Sequence, residues 1–401
     1  MKAGWKIVKL NDVSELLADG DWIESKDQSD NGIRLIQTGN IGDGIFKDRE
    51  EKARYISEST FKRLRCTEIF EGDCLVSRLP EPVGRSCILP RIPRSITAVD
   101  CSIIRFKRAA ILPEYFCYYS QSREYQKSVE SKTSGTTRKR ISRSHLSEID
   151  IPLPPLAEQK RIVALLDEAF AGIDKLSSNA KKRSSDALHV FEQERDYFFS
   201  NSENNYPETT ISEVTTRLQY GTSEKSASTG RYVVLRMGNI QDGEIDYEDL
   251  KYTSSQEVID QYCLKPGDVL FNRTNSPQWV GKSAIYRGEM PAVFAGYNIK
   301  IHTIADKIDP EFLTFFLNSD RAMSFGRSTF ISSVNQANIN AEKLRSYRLP
   351  LPPLLEQKKI AERLKQIKKM SRDLYTIYDN ILTKSNHLKA SILRHAFNGA
   401  L

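Results

Sequence analysis

The chain has 401 residues, 39% hydrophobic and 28% charged, with a formal net charge of +7. That length exceeds one ordinary core and suits two to four domains, and the composition excludes a disordered or fibrous chain. No apolar run approaches the roughly 18 residues needed to span a bilayer, and the opening Met-Lys-Ala-Gly-Trp-Lys lacks the apolar centre of a signal peptide, so a cytoplasmic protein with no membrane partner is expected.

Residues 2–17 alternate apolar and polar and lead into a short helix or turn. Residues 33–44 read as a strand, a Gly-Asn turn and a second strand. Gly72-Asp-Cys-Leu-Val-Ser-Arg78 is a turn followed by a buried strand, and residues 83–89 and 102–106 are further strands. Residues 113–120 open a helix with Pro113 in its first turn. Residues 131–143 are basic and hydroxyl-rich, with Gly135 at their centre, and are expected to form an exposed loop. Ile151-Pro-Leu-Pro-Pro-Leu-Ala-Glu-Gln159 then starts a long helix, because proline cannot extend a helix backwards.

The second half repeats this order. Gly39-Asn-Ile returns as Gly238-Asn-Ile, the Gly72 to Arg78 run as Gly267 to Arg273, and Val83-Gly-Arg-Ser as Val280-Gly-Lys-Ser. Pro113 returns as Pro310, and the Pro-Leu-Pro-Pro-Leu-x-Glu-Gln run returns to end at Gln357. A fixed long-period echo marks two copies of one unit. Identity between the anchors is low, the pattern of one scaffold reading two different things. The loop before each Pro-Pro run differs most: Gly135-Thr-Thr-Arg-Lys-Arg-Ile-Ser-Arg143 against Ile331-Ser-Ser-Val-Asn-Gln-Ala-Asn-Ile339.

After each Pro-Pro run an apolar seam follows steps of three and four: Ile162, Leu166, Ala169, Ile173, Leu176, Ala180, Ala187 and Val190, then Ile360, Leu364, Ile367, Leu374, Tyr378, Ile381, Leu388 and Ile392. Arg183, Ser371 and Ser385 interrupt it as polar gaps. The 3.5-residue period is that of a coiled coil, and the two helices are expected to pair antiparallel with each other.

No active-site constellation emerges. Val280-Gly-Lys-Ser283 resembles the tail of a phosphate-binding loop, but Ser276 stands where the first glycine is needed. His145, His189, His302, His387 and His395 show no metal spacing, and His145 reads as structural. Cys66, Cys74, Cys87, Cys101, Cys117 and Cys263 contain no C-x-x-C pair and read as buried reduced thiols. No catalytic residue, metal or cofactor is therefore expected on this chain.

The doubled unit, the Pro-Pro-Leu-x-Glu-Gln run opening each long helix, and the ending Ser391-Ile-Leu-Arg-His-Ala-Phe-Asn-Gly-Ala-Leu401 resemble the specificity subunit of type I restriction-modification systems, over the whole chain. The resemblance implies an α+β chain with two repeated mixed α/β target recognition domains, residues 1–154 and 202–352. Two long antiparallel helical regions, residues 155–201 and 353–401, would separate them. Each recognition domain would read one half of an asymmetric split site on double-stranded DNA. The helices would set the gap and hold two methylation subunits, which carry S-adenosylmethionine, while restriction subunits would use ATP and Mg to translocate and cut. A stand-alone regulatory DNA-binding protein on the same fold is the alternative. Arg and Lys suit phosphate and guanine acceptors, and Asn and Gln suit adenine edges. The expected DNA contacts are thus Arg138, Lys139, Arg140 and Arg143, with Lys132 and Thr136 beside them and Arg78 and Arg85 facing the same groove. In the second half they are Asn335 and Gln336 for adenine, and Arg273, Lys282 and Arg327 for the backbone.

Overall fold

A computed structural model describes residues 4–135, 138–202, 205–329, 331–333 and 336–401. The chain divides into two compact units, one made of residues 1–180 with 380–401 and the other of residues 181–379.

In the first unit the strand Lys6–Lys9 pairs antiparallel with Asp150–Leu153, which carries the start of the Pro-rich run. Ser14–Asp19, Cys101–Phe106, Cys74–Ser77 and Ser86–Ile88 lie side by side in that order as an antiparallel sheet. Every residue of Cys74–Ser77 is buried, as a short continuous apolar run requires. A second, mixed sheet sets Ile33–Ile36 parallel to Ser95–Thr97 and antiparallel to Arg54–Ile56. The helices Pro113–Tyr119 and Arg123–Ser131 close the core, with Tyr115, Phe116 and Tyr125 buried beside Phe106. Each such ring contributes about 1.5–3 kcal/mol on burial.

The second unit repeats the plan. Glu208–Thr210 pairs with Arg348–Pro350, and Thr215–Tyr220, Asn298–Thr303, Val269–Asn272 and Ser283–Ile285 form the matching antiparallel sheet. Pro310–Leu317 and Asp320–Thr329 pack on it around Phe271, Phe312, Phe316 and Tyr347.

The repeated residues do the same work in both copies. Asn40 accepts from the Gln37 amide and donates to Lys47 O; Asn239 accepts from the Arg236 amide and donates to Asp246 O. Asp73 accepts from the Phe70 amide and pairs with Arg105; Asp268 accepts from the Lys265 amide and pairs with Lys300. The motif glutamine is fully buried each time. Gln159 accepts from the Leu112 amide and donates to Ala110 O and Pro154 O, while Gln357 accepts from the Asp309 amide and donates to Lys307 O and Pro352 O. The glutamine therefore pins each long helix to the loop that precedes the Pro-headed helix.

The long helices are Leu156–Asn201 and Leu354–Phe397. In the first unit Ile162, Leu166 and Phe170 share a core with Leu393, Ala396 and Phe397. Arg161 there bonds to Leu401 O at 2.8 Å and Asp174 pairs with Lys389, so the two segments run antiparallel. In the second unit Phe199 shares a core with Ala361 and Leu364, with Phe198 and Ile360 packed against it.

The seam departs from expectation in its middle. Ser371 and Ser385, expected as gaps, are buried, whereas Leu176, Val190, Leu374 and Leu388 are exposed. The period was legible, but the buried positions there are small residues such as Ala180, Ser184 and Ala187. Two further segments differ from the loops expected. Ser134 and Arg140 pair through their backbones at 3.0 and 2.9 Å, and Ile331–Ser333 pairs antiparallel with Gln336–Asn338. Such pairing satisfies backbone groups that an open loop would leave to water. Five cysteines are buried as expected, but Cys263 is exposed.

Candidate nucleic-acid interface

In the first unit the basic segment is joined to the sheet. Ile141 donates its amide to Arg78 O at 3.3 Å, and Arg78 donates its own amide to Asp100 O at 2.9 Å. The Asp100 carboxylate receives two guanidinium groups, Arg140 at 3.1 Å and Arg138 at 3.4 Å. These side chains remain 41% and 70% exposed, so the pairs are worth little as stabilisation and leave donors directed to solvent. Lys139 is exposed, and Arg143 is exposed at the first position of the helix Arg143–Ser147, where Ser142 caps. Gly135, at φ +102, makes the turn that a side chain would strain. Lys132 is half-buried, and its carbonyl meets His145 Nδ1 at 2.9 Å, which gives the histidine the structural role expected of it. Thr136 lies outside the described residues.

Arg78 lines an open cleft with Asn11, Asp19, Ser142 and Arg143, while both Arg78 and Arg85 are also tied into the unit. Arg85 is buried and donates to Ile41 O, Leu79 O, Pro82 O and Thr38 O, which uses its guanidinium to tie the Gly-Asn turn to the neighbouring loop. Arg78 is buried, donates to Ile141 O and pairs with Asp19. A residue type alone could not reveal this, because the carbonyls that capture each guanidinium come from distant segments.

The same backbone frame recurs in the second unit. Arg273 donates its amide to Tyr297 O and Ile339 donates to Arg273 O, both at 2.9 Å. Gly221 N meets Asn298 O as Gly20 N meets Cys101 O. These bonds match Arg273 to Arg78, Tyr297 to Asp100, and Tyr220 to Asp19. Where Asp19 takes the Arg78 charge, the Arg273 guanidinium lies over the Tyr220 ring at 4.9 Å and bonds to Asn338 Oδ1 at 3.1 Å.

Beside this frame is an open cleft lined by Arg236, Met237, Gln241, Asn275, Trp279, Lys282 and Tyr297. Trp279 and Tyr297 are 48% and 47% exposed. The Lys282 ammonium lies 3.9 Å over the Trp279 ring and donates to Gln241 Oε1 at 2.8 Å. Burial pulls its pKa below the usual lysine range. Arg236 pairs with Asp249 at 3.0 Å. Asn275 sits on a short strand paired with Gln336–Asn338, so that strand pair borders the cleft. Gln336 is placed only by its backbone, and Asn335 lies outside the described residues. Arg327 pairs with Asp320 at 3.1 Å on its own helix and does not line the cleft. Of the residues expected from the sequence, Lys282 lines the cleft and Arg273 lies beside it, whereas Tyr220, Asn275, Trp279 and Tyr297 were not expected. The signal that was available is their place next to the repeated anchors, where the two copies carry different chemistry.

Among the described residues no group of His, Cys, Asp and Glu could hold a metal ion, and no helix is long and apolar enough to cross a membrane.

Residues 2–183 and 209–377 match the family described as type I restriction modification DNA specificity domain. The chain is similar to the type I restriction enzyme EcoKI specificity subunit of Escherichia coli K12, at 23% identity over 99% of this chain and 89% of the relative. It superposes with a TM-score of 0.80 and 18% identity on a chain solved in work on assembly and conformational transition of the type I R-M system, covering 100% of this chain and 99% of that one. The HsdS subunit from Thermoanaerobacter tengcongensis superposes with a TM-score of 0.61 and 19% identity, covering 100% and 98%.

Proposed function

Because the chain belongs to the family of type I restriction modification DNA specificity domains, we infer that it is the DNA-recognition subunit of a type I restriction-modification complex. Catalysis belongs to other subunits in this reading. The observation that carries it is one scaffold built twice with different chemistry at matched positions: Asp19 and Asp100 with arginines in one copy, Tyr220 and Tyr297 with an indole and amides in the other. Two such surfaces read two different half-sites, and the product is an asymmetric split sequence. In the first domain, residues 1–154, we assign Arg138, Lys139, Arg140 and Arg143 to DNA; in the second, residues 202–352, Arg273 and Lys282 flank the reading cleft.

The long helices, residues 155–201 and 353–401, set the gap between half-sites and hold two methylation subunits in this proposal. Exposed apolar side chains on them support that docking. Met370 and Ile377 are 62% and 54% exposed, and Leu176 and Leu388 are exposed in the other unit. Met370, Leu374 and Ile377 recur at steps of four and three on one helix, and a contiguous exposed apolar patch, unlike apolar residues scattered singly, marks an interaction site. The methylation subunits would bring S-adenosylmethionine, and restriction subunits would bring ATP and Mg, in the cytoplasm where the DNA lies.

The test is the adenine methylome of cells with and without this gene. Loss of one split motif on deletion supports the reading. An unchanged methylome, with the partner genes expressed, refutes it.

A further inference from the structure

The two reading surfaces differ in what they can offer a base pair. In the first unit the exposed guanidinium groups of Arg138 and Arg140 share one carboxylate and keep donors toward solvent. In the second unit the cations of the cleft are each engaged at one point. Arg236 is held by the carboxylate and the carbonyl of Asp249, and Lys282 is held by Gln241 and the Trp279 ring. Gln241 is engaged at both ends, its oxygen with Lys282 and its nitrogen with Gly238 O at 3.1 Å. Beside them stand the Asn275 amide, the Tyr297 ring and the Trp279 indole. The Asn275 oxygen takes the Ser276 amide at 2.8 Å on one of its two lone pairs, and its nitrogen donates to no other described residue, so the amide keeps both a donor and an acceptor. Guanine is read best by a free arginine or lysine, adenine by an amide, and the thymine methyl by an apolar surface.

We propose that this cleft reads an A·T pair of the second half-site in the major groove, Asn275 meeting the adenine edge and Trp279 with Tyr297 covering the thymine methyl. The proposal rests on the recognition function inferred above and names the base pair that this site takes. Lys282 acts on it as a positioning residue: its ammonium fixes the indole and Gln241 together.

The test uses the full-length chain in its assembled complex, and a wild-type gene that yields no split motif would remove the recognition reading itself. Given a motif, the methylomes of Asn275→Ala and Trp279→Ala strains are compared with wild type. Relaxation at one A·T position, in one half only, is expected, with roughly ten-fold or greater loss of discrimination for Asn275→Ala. A motif unchanged in both variants, a half-site without an A·T pair, or relaxation confined to a G·C position overturns the proposal. A second measurement does not depend on how a variant folds. Binding of the wild-type complex is measured to duplexes carrying deoxyuridine in place of the thymine. Loss of the methyl should weaken binding roughly four-fold, the value of one buried methyl-sized group. Unaltered affinity at every thymine of that half-site refutes the methyl contact.

Discussion

Replacing Gln159 by leucine should damage the first unit far more than a single surface-to-core contact would suggest. The side chain is fully buried and makes three bonds to main chain, from the Leu112 amide at 2.9 Å and to Ala110 O and Pro154 O at 3.0 and 2.9 Å. Leucine keeps the volume but leaves one N–H and two carbonyls without a partner. An orphaned buried group costs about 1–3 kcal/mol; with the amide counted near the top and the carbonyls near the bottom, about 3–5 kcal/mol is lost. For a unit of about 200 residues each kcal/mol shifts melting by about 2–4 °C, so a fall of about 6–20 °C is expected. Calorimetry on the full chain should show the transition of the first unit moving down, and hydrogen exchange should place the loss at Leu112 and the start of the helix Leu156–Asn201. Gln357→Leu should do the same around Asp309 in the second unit, and the two effects should add, since they share no partner. A melting temperature for Gln159→Leu within 2 °C of wild type (about 1 kcal/mol or less) would show that the glutamine does not fasten the helix.

Three further outcomes follow from the interface and the helices. Replacing Arg138 and Arg140 together by alanine should weaken DNA binding of the assembled complex and flatten the plot of log affinity against log salt by up to about 2, at roughly 0.9 per phosphate contact; an unaltered slope excludes them as phosphate contacts. Four residues inserted beside Ser184 add about 6 Å of helix and should lengthen the gap of the methylated motif by about one to two base pairs, and an unchanged gap means the helices are not the ruler. Lys368 is buried on the second long helix, donates to Asp242 O and lies 3.4 Å from Glu244. Burial lowers its pKa below 10.5 despite the pull of Glu244. The folded state therefore sheds this proton before the unfolded state does, so wild-type stability rises with pH through the window that ends at 10.5. Wild type should gain on Lys368→Met as pH climbs toward that value; parallel melting curves would contradict the burial.

Much of the fold was legible because its signals are local. Pro154-Pro155 and Pro352-Pro353 can only precede a helix, Gly-Asn turns have few alternatives, and an echo at half the chain length imposes one plan on both halves. The site was less legible, because its residues become a site only through partners that the order of the chain does not name. Arg85 looks like any basic residue after a glycine until four carbonyls from separate segments close on it. Trp279 and Tyr297 carry no motif, and they gain meaning only where the fold sets them around one cleft. The helix seam lies between these cases: its period could be counted, but which of two neighbouring residues faced inward depended on the partner helix.

The first unit is assembled from residues 1–180 and 380–401, with Leu393, Ala396 and Phe397 inside its core against Tyr115 and Tyr119. The core of the second unit is complete by Leu364. On a ribosome, then, the half that is translated later finishes first, while the earlier half waits for the final turns of the last helix. A nonsense codon just before residue 393 would spare the second core and leave the first open at Tyr115, so a truncated product would lose recognition of the half-site encoded at the opposite end of its gene.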